Sequence, residues 1–304
     1  DSTHTRLERW QRTDRAPYCL PLPPGKITLF TQSITEAHRL ALLNLRAKRL
    51  RKDELCAVDS TTRSAYGDSL ADIHWGKNKE GLPLRQTTEV VVYTLEQHMP
   101  VYYRTFPGNM NDARSLKTIL TDIDHAGFAN LTFITDRGYE SLRNTEEFIQ
   151  RRQKAVMCVK TSLKMVQEEI LAFGDFITHP DEMEIDPETR LYMTQYELEY
   201  QVQGQRNCVK AAADMRLNLY FEPVRRSNET VELDIAVKEQ GDALAEMLAG
   251  QETFEDLAAL KKRFSYYELD IDAGRCRLRG YARNEKKLSQ ARRLSGFFAI
   301  VTLG

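Results

Sequence analysis

One segment constrains the fold more than any other: Leu131-Thr132-Phe133-Ile134-Thr135-Asp136-Arg137-Gly138-Tyr139. A short apolar, β-branched and aromatic run ends in a carboxylate, and Arg, Gly and a helix-like stretch over 141–152 follow at once. A run of this kind, stopped by glycine, reads as a buried strand. An acid at the C-terminal end of a buried strand stands where open α/β sheets bind their ligands. Upstream, Leu55-Cys56-Ala57-Val58 runs into Asp59 with the same grammar, followed by Ser60, Thr61 and Thr62. Two buried strands that each end in Asp make a metal site awaiting a third ligand.

The rest of the chain arranges itself around these two strands. Residues 1–25 hold four prolines and Gly25, which predicts an irregular linker. Residues 35–52 read as a helix with bases on its outer side. Strands are predicted at 54–59, 89–95, 101–106, 131–135 and 155–159, with a loop over 63–85 that exposes Trp75, Lys77 and Lys79. Asp112 is placed to cap a helix whose Leu116, Ile119, Leu120 and Ile123 form one apolar face. After Lys160 the texture changes. A helix at 163–173 precedes strands at 190–203, 208–221 and 230–238, read from their two-residue period. A helical pair over 242–264 split near Gly250, a strand pair at 266–272 and 275–281, and a buried strand at 296–302 complete the reading.

Composition excludes several classes. No apolar run approaches the roughly 20 residues that span a bilayer, and no secretory signal opens the chain. Five cysteines stand singly, with no Cys-x-x-Cys pair, which points to reduced thiols in a cytosolic setting and away from a zinc module. With 43 Lys and Arg against 44 Asp and Glu, the net charge of −1 rules out a polyanion binder by overall charge. The bases are clustered, however: one group lies over 46–52, one is Lys261-Lys262-Arg263, and one comprises Arg283, Lys286, Lys287, Arg292 and Arg293. Each could meet phosphates or simply be a solvated helix face.

Neighbouring strands lie about 4.8 Å apart, so acids at their ends can share one cation. Ligands that are all oxygen select Mg²⁺ or Mn²⁺. With a third carboxylate, such a site could hold two metals for phosphodiester cleavage. A phosphatase reading of Asp59-Ser60-Thr61-Thr62, in the manner of haloacid dehalogenases, lacks the second Asp that box needs at Thr61. No G-x-S-x-G elbow surrounds Ser60.

Four pieces occur in order: Ala57-Val58-Asp59-Ser60-Thr61, Pro107-Gly108-Asn109-Met110-Asn111-Asp112, Thr135-Asp136-Arg137-Gly138-Tyr139 and Leu294-Ser295-Gly296-Phe297-Phe298. Together they resemble the DDE transposases of bacterial insertion sequences, in the branch that carries a β-rich insertion between its second and third acids. The resemblance covers about residues 54–304. It implies an α/β fold: a ribonuclease H-like mixed sheet with flanking helices, interrupted by that insertion. The implied organisation is an N-terminal linker and basic helix over 1–53, a core over 54–160, the insertion with its helical pair over 161–290, and a return strand over 291–304.

The resemblance also implies chemistry. Asp59 would be the first catalytic acid and metal ligand, and Asp136 the second, with Mg²⁺ or Mn²⁺ as cofactor. Arg137 and Tyr139 would sit beside the site and steer DNA. Asn109 and Asp112 would position the segment facing the metal, and Lys77 and Lys79 would lie near the DNA. The partners would be transposon-end and target DNA, handled by a homodimer in the synaptic complex, with no membrane association. The branch places its third acid in a Tyr-x-x-Arg-x-x-x-Glu pattern, and no Tyr from Tyr192 onward has Arg three residues later. The expectation is therefore that the Glu lies beyond Gly304 and that this piece alone is inactive. The rival expectations are a stand-alone nuclease with this core and a non-catalytic, DNA-binding or dimerising remnant.

Overall fold

A computed structural model describes residues 3–13, 20–51, 53–66, 72–76, 81, 84–172, 184–203, 209–272 and 274–304. Two compact units divide the chain, Asp1–Ile134 and Thr135–Gly304. Among the described residues no helix is long and apolar enough to cross a membrane.

In the first unit the predicted linker contains helices: α1 (Thr3–Thr13) and α2 (Pro24–Ser33). The prolines misled the reading because Pro24 stands at the start of α2, where a fixed φ and a missing N–H suit a helix. Next comes α3 (Glu36–Ala47), opened by a capping box between Thr35 and His38. Strands β1 (Leu55–Ala65) and β2 (Arg85–Thr94) form a longer hairpin than expected, paired from Cys56↔Thr94 to Ala65↔Arg85. Part of the predicted loop is thus strand, and His74 adds an isolated bridge to Gln86. Strand β3 (Met99–Pro107) pairs antiparallel with β2.

Helix α4 (Asp112–His125) is capped by Asn111, one residue before the predicted cap, and buries Leu116, Ile119, Leu120 and Ile123 as its spacing requires. β4 (Thr132–Thr135) closes the unit, in the order β3-β2-β1-β4. The Thr132 N–H donates to the Glu54 carbonyl at 3.0 Å, so the start of β4 lies level with the start of its neighbour β1. A charged knot holds α3 to this sheet. Asp122 on α4 accepts from the Tyr102 hydroxyl at 2.8 Å and pairs with Arg104, while Arg39 on α3 reaches Asp122 at 3.8 Å and the Tyr103 carbonyl at 3.4 Å. Burial, then the hydrogen bond to Asp122, holds the Tyr102 phenol well above its ordinary pKa.

The second unit opens with α5 (Leu142–Gln150), β5 (Lys154–Val159) and α6 (Lys164–Ala172). Short β6 (Glu184–Asp186) precedes β7 (Leu191–Gln203) and β8 (Val209–Phe221), the long strands that the two-residue period predicts. The third predicted strand, 230–238, is instead part of α7 (Pro223–Ala249). Its alternation of Val231, Leu233, Ile235 and Val237 separates on a helix into two i, i+4 pairs. Leu233 and Val237 are each 7% exposed, while Val231 and Ile235 are 55% and 52% exposed.

Helix α8 (Leu257–Arg263) and the hairpin of β9 (Tyr267–Asp272) and β10 (Arg277–Arg283) follow, with a bulge between Leu278 and Gly280. Of the third basic cluster, Arg283 ends β10 while Lys286, Lys287, Arg292 and Arg293 lie on α9 (Glu285–Leu294), and β11 (Phe297–Leu303) completes the unit. β11 pairs antiparallel with β5 on one edge and β8 on the other, giving the order β5-β11-β8-β7-β6. Gly296 makes the entry to β11 feasible. Its φ is +84°, and an added Cβ would lie 2.6 Å from the Arg226 Cβ, so a side chain is excluded on both counts. The mixed α/β class expected from the sequence is the class observed.

Candidate active site

Strand alternation decides where the first acid points. Along β1, Val58 and Ser60 are buried whereas Asp59 and Thr61 are exposed. The Asp59 carboxylate accepts the Ser60 N–H on Oδ1 at 2.7 Å, and its Oδ2 has no partner among the described residues. The Ser60 hydroxyl, on the buried face, donates to Asp112 Oδ1 at 2.6 Å. Asp112 therefore lies on the side of β1 opposite the Asp59 side chain, joined to it by two consecutive hydrogen bonds through Ser60.

The turn that carries Asp112 is clamped. Gly108 packs so closely on β2 that an added Cβ would lie 1.9 Å from the Gln86 carbonyl oxygen, and a Cβ on Gly76 would lie 2.0 Å from the Gly108 oxygen. Gln86 Nε2 donates to the Gly108 carbonyl at 3.0 Å, and the Gly108 N–H donates to the Asp72 carbonyl at 3.2 Å. Only glycine permits two backbones to approach in this way. Asn109 is exposed at the tip of the turn. Below it Ser60, Thr62, Gln86, Thr88 and the 108–112 turn enclose a polar cavity of about 250 Å³. Sequence reasoning missed Gln86 and Thr88. Their signal was the two-residue period, which puts both on the buried face of β2 opposite Ser64 and Thr62.

In the second unit Asp136 follows β4 directly. Its Oδ1 accepts the Gly138 N–H at 2.9 Å and its carbonyl accepts the Tyr139 N–H at 3.3 Å, a tight turn closed by the carboxylate itself. Asp136 and Arg137 are exposed, and Arg137 has no ion-pair partner among the described residues. Tyr139 is 1% exposed, which corrects its expected part in steering DNA. It anchors the turn instead: buried Asn144 donates to the Tyr139 carbonyl at 2.6 Å, at the start of α5. Glu140 pairs with Lys160 at 3.0 Å.

Lys77 and Lys79 lie outside the described residues. Among those described, no group of three or more His, Cys, Asp or Glu side chains could hold a metal ion. The donor chemistry of the two predicted acids nonetheless suits a hard cation. Both are exposed carboxylates with one oxygen tied to a backbone N–H and the other without a described partner. A cavity of about 610 Å³ between α7 and the β10–α9 segment contains neither acid.

Comparison with known proteins gives one family match, to the transposase DDE domain over residues 50–227. No curated protein sequence matches the chain. Among solved structures, the chain is similar to the piggyBac transposase synaptic complex with hairpin DNA, at 8% identity and a TM-score of 0.36 over 71% of this chain and 44% of that one. It is similar to the Mos1 transposase paired-end complex with the left transposon end at 11% identity, TM-score 0.26, over 51% and 54%. A third likeness is to Ciona intestinalis endonuclease V in complex with an inosine-containing 24-mer DNA, at 12% identity, TM-score 0.24, over 62% and 77%. The chain thus spans about half the length of the two transposases it matches.

Proposed function

Because this chain belongs to the transposase DDE domain family, we propose that it is core machinery of a DNA transposase, a metal-dependent phosphodiester hydrolase at transposon ends that then joins the freed 3′-hydroxyl to target DNA. The observation that carries the reading is the family match itself. It spans more than half of the chain and contains both predicted acids. The fold is the ribonuclease H-like mixed α/β one, and the family is an enzyme family whose members use divalent metal ions.

Asp59 and Asp136 are assigned as the first and second acids. Two observations support the pair: β1 and β4 are neighbours in the sheet and start level, and each acid keeps one carboxylate oxygen without a described partner, although Asp59 lies within β1 and not at its predicted end. A bound Mg²⁺ or Mn²⁺ would supply Lewis-acid activation of the attacking oxygen and charge stabilisation of the leaving one. The chain's own groups do the holding. The Ser60 and Gly138 N–H groups fix the two carboxylates, and Asp112 braces Ser60 from behind. Exposed Arg137 offers a bidentate phosphate contact. Asn109, Lys77 and Lys79 are assigned to the DNA-facing side, and synapsis of two ends calls for a homodimer.

Residues 54–160 and 291–304 form the proposed core, with 161–290 as the insertion, and the direct pairing of β11 with β5 supports that division. No residue of this chain is assigned as the third acid, so the chain should bind metal weakly and turn over little. A second reading is a non-catalytic DNA-binding module. Mn²⁺ titration followed by electron paramagnetic resonance separates the two. Weak binding by the wild type that disappears in both Asp59→Asn and Asp136→Asn, with duplex DNA binding retained, supports the metal site. Wild-type affinity in either variant would defeat it.

A further inference from the structure

We infer that the outward face of α9, carrying Lys286, Lys287 and Arg293, is a docking surface for the phosphate backbone of duplex DNA. This rests on the DNA-processing reading above and extends it to a surface that the two acids do not include. From Arg283 to Leu294 the chain has five cations against one acid, in a protein whose total charge is −1. Its neighbour α7 is the reverse, with six acids against three bases. Charge within this unit is therefore segregated by helix, which a merely solvated surface does not require.

The helix also has a clear inside and outside. Leu288 is buried against Leu233 and Val237 of α7, with Ala291 packed beside them. Lys286 and Arg293, seven residues apart, lie two turns apart on the opposite face, and Lys287 lies on its flank. All three are exposed, and none has an ion-pair partner among the described residues. Arg292 differs because it is held by Asp234 of α7 at 2.9 Å. Gln290, which lies between Lys286 and Lys287 around the helix, meets Gln167 of α6 at 3.4 Å, a neutral contact that pairs with none of the three cations. Helix stability does not explain Lys286 and Lys287, because cations in the first turn oppose the helix dipole.

Two turns of helix place Lys286 and Arg293 about 10 Å apart along the axis. A duplex carries one phosphate charge per roughly 1.7 Å of its length, so several phosphates fall within that span. Long cationic side chains that can rotate suit contact with the phosphate backbone.

The test is equilibrium binding of a short fluorescent duplex of arbitrary sequence by this chain across a range of salt. In the triple variant K286A/K287A/R293A the slope of log affinity against log salt should fall by about 2 to 3, with affinity at low salt down at least tenfold. A control variant, K261A/K262A in the last turn of α8, should leave both quantities as in the wild type. An unchanged triple variant would overturn the assignment, as would an equal loss in the control, which would indicate net charge alone. Sedimentation velocity adds a further arm: if the triple variant loses self-association and its DNA binding falls only with that loss, the face binds a second copy and the proposal fails. A wild type that binds no duplex even at low salt removes the DNA reading itself, whereas wild-type binding with an unaltered triple variant removes only the α9 surface.

Discussion

Ser60 donates its hydroxyl hydrogen to Asp112 Oδ1 at 2.6 Å, across 52 residues of sequence, and its own N–H holds the carboxylate of Asp59. The first turn of α4 is thereby fastened to β1 immediately behind the proposed first acid. A hydrogen bond to a charged group contributes about 1.5–3 kcal/mol. Asp112→Ala should accordingly lower unfolding stability in urea by about 1–3 kcal/mol, and Asp59→Asn should change it by less than about 0.5 kcal/mol. Equal effects of the two substitutions would show that Asp112 has no bracing role.

Gly108 is the second point of rigidity. Its Cα faces the Gln86 carbonyl with no room for a methyl group. Gly108→Ala must push the turn away from β2, and overpacking of this kind costs about 1–3 kcal/mol or more. A lower urea midpoint with an unchanged m-value is the expected outcome, and Gly76→Ala should behave alike. A variant as stable as the wild type would mean that the two backbones do not cross so closely.

The helical assignment of 223–249 has a simple signature. Leu233→Ala removes a buried side chain and should cost about 2–4 kcal/mol. Ile235→Ala, half exposed on the opposite face of α7, should cost well under 1 kcal/mol. A strand would place both side chains on one face and give them similar values, so comparable destabilisation would refute the helix.

Burial, and then the nearby charge of Glu54, pushes the Cys56 thiol up to about 12. The folded state thus favours the neutral thiol. Its contribution to stability is complete below the unfolded pKa near 8.5 and is lost as pH rises from there toward 12. At pH 8 iodoacetamide should modify exposed Cys276 readily and leave Cys56 intact, as read by peptide mass spectrometry. Matching labelling rates would contradict the burial of Cys56.

Legibility in the sequence followed the source of the signal. The strands carrying Asp59 and preceding Asp136, the α4 stripe and the long strands β7 and β8 were readable because burial on one face writes a period directly into composition, whereas the end of β1 was not, since it runs on to Ala65 past the predicted stop at Asp59. Helix α9 was not. Its only apolar residues are Leu288, Ala291 and Leu294, too few to mark a face, although Asn284 did stand at its start as an N-cap. The error at 230–238 has the same root. Two apolar pairs at helical spacing, one buried and one exposed, interleave into what looks like strand alternation.

Local composition by itself determined which segments become buried strands and where carboxylates interrupt them, because that information is held within a few neighbouring residues. Tertiary structure alone decided that Asp112 meets Ser60, that Gly76 and Gly108 cross, that Tyr139 turns inward, and that β11 lies between β5 and β8. All but the Tyr139 turn are contacts between segments far apart along the chain. Such contacts are selected by which surfaces can close against one another without leaving a buried polar group unmet, and no short window of sequence contains both surfaces.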